Sequence, residues 1–173
     1  KRLGLPEKEK RFNFSEFASY LCGEQELVSK RYYVGIVKNH DGSENGDVRV
    51  RKQQKFLDGL RMEKFDVKPG RIMYDGNRIR EKSVDVKLAV DLVIGAASNL
   101  YDVAIVVSSD TDLIPAIKYV RNGTKKKIEY VGFAGFPSLG LVRESDSQRL
   151  FSKEDLLQFQ MSRSEVWLLQ TYK

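Results

Sequence analysis

Residues 103–112 read VAIVVSSDTD. The first half of this stretch is a short, continuous apolar run, which is typical of a strand buried on both faces of a parallel sheet. We therefore expect residues 103–107 to form a central strand. The second half is polar and carries Asp110 and Asp112. Residues 108–112 are called the acidic turn below.

The acidic turn is a candidate metal site. Ligands of parallel α/β sheets bind at the carboxyl ends of the strands, and Asp110 and Asp112 directly follow the predicted strand. Two carboxylates separated by one residue can converge on one hard cation, and oxygen ligands suit Mg²⁺ or Mn²⁺. Short neighbours such as Ser109 leave both carboxylates accessible. Asp is also a favoured N-cap residue, so Asp110 could simply cap the helix that follows.

Helices and strands alternate along the rest of the chain. Apolar periodicity predicts helices over residues 12–28, 50–65 and 84–100, one after the acidic turn that ends at Asn122 and Gly123, and one from Ser152. Further strands are predicted over residues 31–37, 67–74, 78–80 and 128–133, with a hairpin turn at residues 75–77 and a polar loop at residues 38–47. This order indicates one parallel α/β domain over residues 1–173.

The helix over residues 84–100 has the clearest apolar pattern. We expect one of its faces to lie on a sheet, and that face is formed by Val86, Ala89, Val90, Val93, Ala97 and Leu100. Asp85 lies at the start of this helix, where it could cap the helix or face a ligand. Asp91 lies far around the helix from Asp85, so both cannot point at one site, and Asp91 ranks lower.

Three segments occur in a fixed order: KSVDVKLAVD at residues 82–91, IVVSSDTDLIP at residues 105–115 and KIEYVGF at residues 127–133. Together with residues 138–146, and more loosely the strand at Tyr32, they resemble the NYN family of PIN-like domains. The resemblance covers most of the chain. It implies an α/β, PIN-like (Rossmann-like) three-layer fold with a central, mainly parallel sheet flanked by helices.

The resemblance also implies a divalent-metal-dependent ribonuclease. Asp85, Asp110 and Asp112 match the acidic set of the family, which binds Mg²⁺ or Mn²⁺ for hydrolysis of phosphodiester bonds. Lys82, Lys87 and Ser109 lie nearby in sequence and are candidate substrate contacts. Further candidate phosphate contacts cluster beyond the acidic turn: Lys118, Arg121, Lys125, Lys126 and Lys127. The expected partner is single-stranded RNA. No catalytic histidine is needed, and His40 is expected to be an exposed loop residue.

The chain departs from the family pattern at its start. Family members begin with an apolar strand that ends in an Asp-containing turn and supplies the first metal ligand. Residues 1–11 are too charged for such a strand, so we expect the family's first strand and first carboxylate to be absent from this chain. A catalytically weak or inactive RNA- or protein-binding module is therefore an alternative. A small-molecule phosphohydrolase has less support, because no glycine-rich phosphate loop is present.

Composition agrees with a basic intracellular protein. Thirty Lys and Arg against 24 Asp and Glu give a net charge of +6, which suits an anionic partner, although scattered solvated lysines would produce the same total. Cys22 is the only cysteine, which excludes an intramolecular disulfide and is compatible with a reducing, cytoplasmic compartment. No segment approaches the roughly 18 apolar residues of a membrane span. A homo-oligomer is compatible with these features.

Overall fold

The computed structural model describes residues 10–39, 42–75 and 78–162, and their side chains except at residues 10–11, 71–82 and 161–162. The strands of these residues are β1 (Lys10–Phe12), β2 (Arg31–Gly35), β3 (Asp66–Asp75), β4 (Arg78–Lys82), β5 (Val103–Val107), β6 (Lys127–Phe133), β7 (Ser147–Phe151) and β8 (Gln160–Ser162). The α-helices are α1 (Phe14–Cys22), α2 (Glu44–Met62), α3 (Val84–Ala97), α4 (Ile114–Gly123), α5 (Leu139–Glu144) and α6 (Lys153–Leu157), and Thr111–Leu113 forms a 3₁₀ helix.

The strands form two three-stranded sheets and one short pair. The first sheet has the order β2-β3-β4, with β2 and β3 parallel and β3 and β4 antiparallel, as the predicted hairpin requires. The second sheet has the order β5-β6-β7 and is fully parallel. β1 and β8 pair antiparallel. The mixed α/β architecture with parallel strands and flanking helices is therefore confirmed, while the hairpin's turn at Gly76 and Asn77, like His40, lies outside the described residues.

β6, and not β5, is the central strand of the second sheet. Within the described residues β5 hydrogen-bonds to one neighbour only, whereas β6 pairs with strands on both sides. Ile128 and Tyr130 of β6 are almost completely buried, but Val107 at the end of β5 is 49% exposed. The expectation of a central strand buried on both faces was wrong for β5: only Val106 of this strand is buried, and an apolar run does not count hydrogen-bonded neighbours.

The second sheet separates two apolar cores. Alternate residues of a strand face opposite sides, so Ile128 and Tyr130 pack with α3, α4 and α5 on one side. Val131 faces the other side, where it packs against Phe17 of α1 and Leu156 of α6. This arrangement produces three layers, helix on sheet on helix.

Two predicted helices have different bounds in the structure. α1 ends at Cys22, where Gly23 adopts a left-handed φ of 62°, so the helix stops before the exposed Leu27 and Val28. α2 begins at Glu44 and not near residue 50, because the Ser43 hydroxyl accepts a hydrogen bond from the Gly46 amide at 3.0 Å and caps the helix. Residues 44–47, the last part of the loop predicted over residues 38–47, are therefore helical.

α3 is confirmed as a helix, but its buried face was only partly predicted. Ala89 and Val93 pack against the core, while Val86 and Val90 are 64% and 47% exposed. Ala97 and Leu100 are exposed as well. The residues that α3 buries are Leu92, Gly95 and Ala96. Apolar residues surround α3 on nearly all sides, so periodicity alone could not select the face that packs.

α4 and α6 were found where expected, and four other elements were missed. α4 has Pro115 in its first turn and buries Ile117 and Val120, and α6 begins after Ser152, which forms a capping box with Asp155. β1, β7, α5 and β8 were not predicted. β7 reads SQRLF, which has too few apolar residues to show a strand pattern. None of the described helices combines the length and the apolar character needed to cross a membrane.

Asp146 ties the start of β7 to α4 and β6. Its carboxylate accepts hydrogen bonds from the Ile128 amide at 2.8 Å and from Arg121 Nε at 2.9 Å. Partial burial raises the pKa of Asp146, but the hydrogen bonds from Ile128 and Arg121 outweigh that effect, so the pKa lies below its ordinary value of 3.8. The ionised carboxylate therefore stabilises the folded state.

Asp146→Asn is expected to lower the free energy of unfolding by about 1 kcal/mol at neutral pH, the size of one partly exposed charge-assisted hydrogen bond. Because the folded-state pKa is depressed, this stabilisation is present above pH 3.8 and is lost as the pH falls through the folded-state pKa. Urea denaturation of both proteins across this pH range should show the difference shrinking in acid. Asp58→Asn, which affects a side chain 64% exposed, is the control and should change little. A difference that persists at low pH would contradict the role of the charge.

Candidate metal and nucleic-acid site

The acidic turn is held by hydrogen bonds from its own backbone amides to its own side-chain oxygens. Asp110 caps the 3₁₀ helix, because its Oδ1 accepts a hydrogen bond from the Asp112 amide at 2.8 Å. The Asp110 amide in turn donates to the Ser108 hydroxyl at 3.1 Å. The capping interpretation of Asp110 is therefore correct, but it uses only one carboxylate oxygen. The second oxygen, Oδ2, has no protein partner among the described residues.

Asp112 and Ser109 are exposed on the same turn. The Asp112 carboxylate makes no ion pair or hydrogen bond within the described part of the chain. The next residue, Leu113, is fully buried and packs in the core between α3, α4 and β6. The turn thus presents free carboxylate oxygens to solvent from a rigid base, which is the arrangement that a ligand site requires.

The first turn of α3, which carries Asp85, lies at the same edge of the molecule. Gly35 at the carboxyl end of β2 pairs with Gly70 of β3, and Lys87 Nζ donates to the neighbouring Pro69 carbonyl at 3.4 Å. From there α3 runs back along the sheets and contacts β2, β3 and the 3₁₀ helix. Asp85 is exposed at this end of the helix.

The amino ends of β2 and β5 also lie on one side. Tyr101, just before β5, donates its hydroxyl to the Leu92 carbonyl at 2.8 Å, and a Cβ on Gly95 would come within 2.7 Å of its ring. Burial raises the pKa of Tyr101 to about 12, against a smaller opposing influence of Arg31 at the start of β2. Arg31 at the start of β2 lies 3.9 Å from Asp91, the neighbour of Leu92 in α3, so the amino ends of β2 and β5 lie beside the same part of α3 and their carboxyl ends point toward the other side.

These carboxylates do not form a complete ligand set. In the residues that the structure describes, no three His, Cys, Asp or Glu side chains are grouped so that they could hold a metal ion. Asp110 and Asp112 lie together, and Asp85 does not join them in a group of three. The donor chemistry, exposed carboxylate oxygens, fits a hard divalent cation, but the three-residue geometry expected from the sequence is not shown.

A family model described as the NYN domain matches residues 1–153. This chain belongs to the NYN domain family. The NYN domain is a PIN-like fold, and the family is generally one of nucleases and ribonucleases. The chain is also similar to the crystal structure of a protein of unknown function from Vibrio parahaemolyticus, with 21% identity, a TM-score of 0.64, and coverage of 88% of this chain and 83% of the other. That likeness supports the fold alone. No curated protein matches this chain.

Asp91 has a structural role in this NYN domain. Its Oδ2 accepts a hydrogen bond from the Tyr33 hydroxyl at 2.9 Å and lies 3.9 Å from the Arg31 guanidinium, so it links α3 to β2. Burial, followed by the hydrogen bond to Asp91, raises the pKa of Tyr33 to about 12. These contacts explain why Asp91 is not available at the acidic turn, and no pattern in the sequence identified its partners.

The predicted basic cluster beyond the acidic turn lies elsewhere in the NYN domain. Lys127 pairs with Val103 at the amino end of β5, so Lys125, Lys126 and Lys127 are at the edge opposite the acidic turn. Three of the five cations are also neutralised, since Lys118 pairs with Glu144, Arg121 with Asp146 and Lys126 with Asp102. The prediction that these residues surround the acidic turn was wrong, because in a parallel sheet α4 returns from the carboxyl end of β5 to the amino end of β6, where Lys127 begins the strand.

Two of the other candidate substrate contacts, Lys87 and Ser109, lie at the edge of the NYN domain that carries the acidic turn. Lys87 lies in the first turn of α3, and its ammonium group donates a hydrogen bond to the Pro69 carbonyl. Ser109 is exposed beside Asp110. The backbone of Lys82 ends β4 and pairs with Arg71, but its side chain lies outside the described residues. A basic surface outside the predicted substrate contacts lies on α2.

Proposed function

We propose that this NYN domain is a divalent-metal-dependent endoribonuclease that hydrolyses phosphodiester bonds of single-stranded RNA at the acidic turn. The observation that carries the proposal is the placement of Asp110 and Asp112 side by side at the carboxyl end of a parallel strand, in a chain that belongs to the NYN family. A reducing, cytoplasmic location suits the single thiol of Cys22, which hydrogen-bonds to the Gln25 carbonyl.

In this proposal Asp110 and Asp112 hold Mg²⁺ or Mn²⁺, and Asp85 contributes from the first turn of α3. The chemistry supplied by the bound cation is stabilisation of the charge that develops on the phosphoryl group and activation of the attacking water. Asp110 needs little reorganisation, because its Oδ1 is already held by the Asp112 amide while Oδ2 is free. Lys82, Lys87 and Ser109 are the proposed contacts to substrate phosphates.

The second candidate function is a binding module of the same fold, without catalysis. The observation that favours it is that the described residues contain no group of three metal-binding side chains. RNA binding through basic residues requires no metal, so such a module would bind RNA and leave it intact. The two candidates differ in one measurable property, metal-dependent cleavage.

The proposed function predicts that RNA is cut with Mg²⁺ or Mn²⁺ and remains intact, but bound, when EDTA removes the metal. A closed circular RNA is the sharpest substrate, because only an endonuclease can open it, and gel electrophoresis separates circles from linear products. RNA that binds but stays circular with every metal would support the binding module. If RNA neither binds nor is cut, the nucleic-acid hypothesis fails altogether.

A further inference from the structure

α2 carries a basic surface that the acidic site does not use. Four cations lie in the middle of the helix: Arg49, Arg51, Lys52 and Lys55, here called the α2 cationic face. All four are exposed. The helical segment from Val48 to Leu57 contains no Asp or Glu, so this face is positively charged along about two and a half turns.

The cations of this face are unpaired. Among the described residues, none of the four makes an ion pair or a side-chain hydrogen bond. The acidic residues nearest to them on α2 are already engaged, since Asp58 pairs with Arg61 at 2.7 Å and Asp47 accepts from the Asn39 amide at 2.8 Å. The α2 cationic face differs in this respect from Lys118, Arg121 and Lys126, each of which forms an ion pair within the fold.

The spacing of these charges is unfavourable for the helix itself. Arg51 and Lys55 are four residues apart, and Lys52 is three residues from both Arg49 and Lys55, so their Cβ atoms are neighbours at roughly 5–6 Å. Like charges at such spacings destabilise a helix by a few tenths of a kcal/mol per pair. Asp47 lies four residues before Arg51, and Asp58 lies three residues after Lys55, but both carboxylates bond to other side chains and form no ion pair with these cations. The four cations therefore add little to the stability of the helix, whereas a polyanion laid along the face would neutralise them.

The other side of α2 fixes this face in place. Leu57 and Leu60 are fully buried, so the helix cannot turn to hide its charges. Gln53 Nε2 donates to the Gly35 carbonyl at 2.7 Å, and the Val37 amide donates to Gln53 Oε1 at 2.7 Å. These bonds clamp the middle of α2 to the carboxyl end of β2.

The carboxyl end of β2 is also the level at which α3 begins. Gly35 pairs with Gly70, and the first turn of α3 reaches the adjacent Pro69 carbonyl through Lys87. The cationic residues around Gln53 therefore belong to the edge of the molecule that presents Asp85 and the acidic turn. Lys125 and Lys127, which are equally exposed, belong to the opposite edge.

We infer that the α2 cationic face binds the backbone phosphates of single-stranded RNA and holds the strand at the edge that carries the acidic turn, an inference that rests on the proposed function. Contacts to phosphates position a strand without reading its bases, so binding should be independent of sequence and should weaken steeply with salt. A flexible single strand can follow one helix face, as it follows charged grooves in other single-strand binders.

The test compares Lys52→Gln/Lys55→Gln with Lys125→Gln/Lys127→Gln, which removes the same charge from exposed lysines at the opposite edge. The probe is fluorescently labelled oligouridylate, longer than the ~4–16 nucleotides of typical single-strand sites, in EDTA so that binding is measured without cleavage. Loss of two phosphate contacts should weaken binding roughly tenfold and reduce the slope of log K against log salt by about 1.4. The control variant should bind like the unmodified protein.

Two further measurements make the result decisive. Lys52→Arg/Lys55→Arg keeps the charges and should keep the affinity, and circular dichroism should show unchanged helix content in every variant. If Lys52→Gln/Lys55→Gln binds like the unmodified protein, or if the control loses as much affinity, the α2 assignment is overturned while metal-dependent cleavage can still stand. Weaker binding of the α2 variant alone, with no cleavage by any of the proteins, supports the surface and overturns the nuclease.

Discussion

Asp110→Asn is expected to reduce RNA cleavage at least about 100-fold, because a cation site that stabilises the reacting phosphoryl group contributes several kcal/mol to the barrier, and each 1.36 kcal/mol is a factor of ten. The substitution is isosteric. The carbonyl oxygen of the new amide side chain can still accept the hydrogen bond from the Asp112 amide, and Asn is as good an N-cap as Asp. Only the charge at the acidic turn is lost, so the fold and RNA binding should be retained.

The matched control for this prediction is Asp102→Asn. Asp102 carries the same charge, is 95% exposed and precedes β5, so it lies at the opposite end of the strand from Asp110. Its partner Lys126 keeps a second hydrogen bond, to Asn99. Initial rates of circular RNA opening at saturating Mn²⁺ should drop for Asp110→Asn and stay near the unmodified rate for Asp102→Asn. Equal rates in all three proteins would remove the acidic turn from the mechanism.

Leu113→Ala is expected to lower the free energy of unfolding by about 2–5 kcal/mol, the usual cost of a Leu truncated in a closely packed core. Leu113 is fully buried, belongs to the core formed with α3 and α4, and directly follows Asp112. The cavity would therefore lie beneath the acidic turn. For a domain of this size the midpoint of thermal unfolding should fall by about 4–20 °C.

Urea denaturation followed by circular dichroism measures this effect, and Leu139→Ala is its control. Leu139 is 74% exposed in α5, so the same truncation should change the free energy of unfolding by about 0.5 kcal/mol or less. A loss at Leu113 no larger than that at Leu139 would show that the turn is not anchored by the core. Cleavage measured well below the unfolding midpoint tests whether the acidic turn also depends on this anchor.

Much of the local structure was predictable because it depends on neighbouring residues. The apolar run that became β5, the hairpin of β3 and β4, and the Ser152 cap of α6 all have short-range causes. The acidic turn was predictable for the same reason, since it is one loop directly after one strand. The start of α2 could have been found as well, because Ser43 followed by Glu44 and Asp47 is a helix-start pattern.

Contacts between distant segments were not predictable in this way. The hydrogen bond from Tyr33 to Asp91 joins residues 58 positions apart, and Gln53 reaches back across 18 positions to Gly35. Such pairs depend on how helices lie across the sheets, and single residues carry no pattern that reveals them. The α2 cationic face was not predicted because the sequence shows its four cations but does not show whether acidic side chains pair with them.

The α/β class, the NYN family and the carboxylates at the end of β5 follow from the sequence, because hydrophobic period, turn chemistry and an ordered run of motifs are local properties. The pairing of β6 on both sides, and the burial of Leu92 of α3 in place of Val90, follow from the three-dimensional packing alone. The same is true of the hydrogen bond that places Gln53 of α2 at the carboxyl end of β2. Side-chain partners are selected by packing across the sheet, where residues far apart in the chain compete for the same surface.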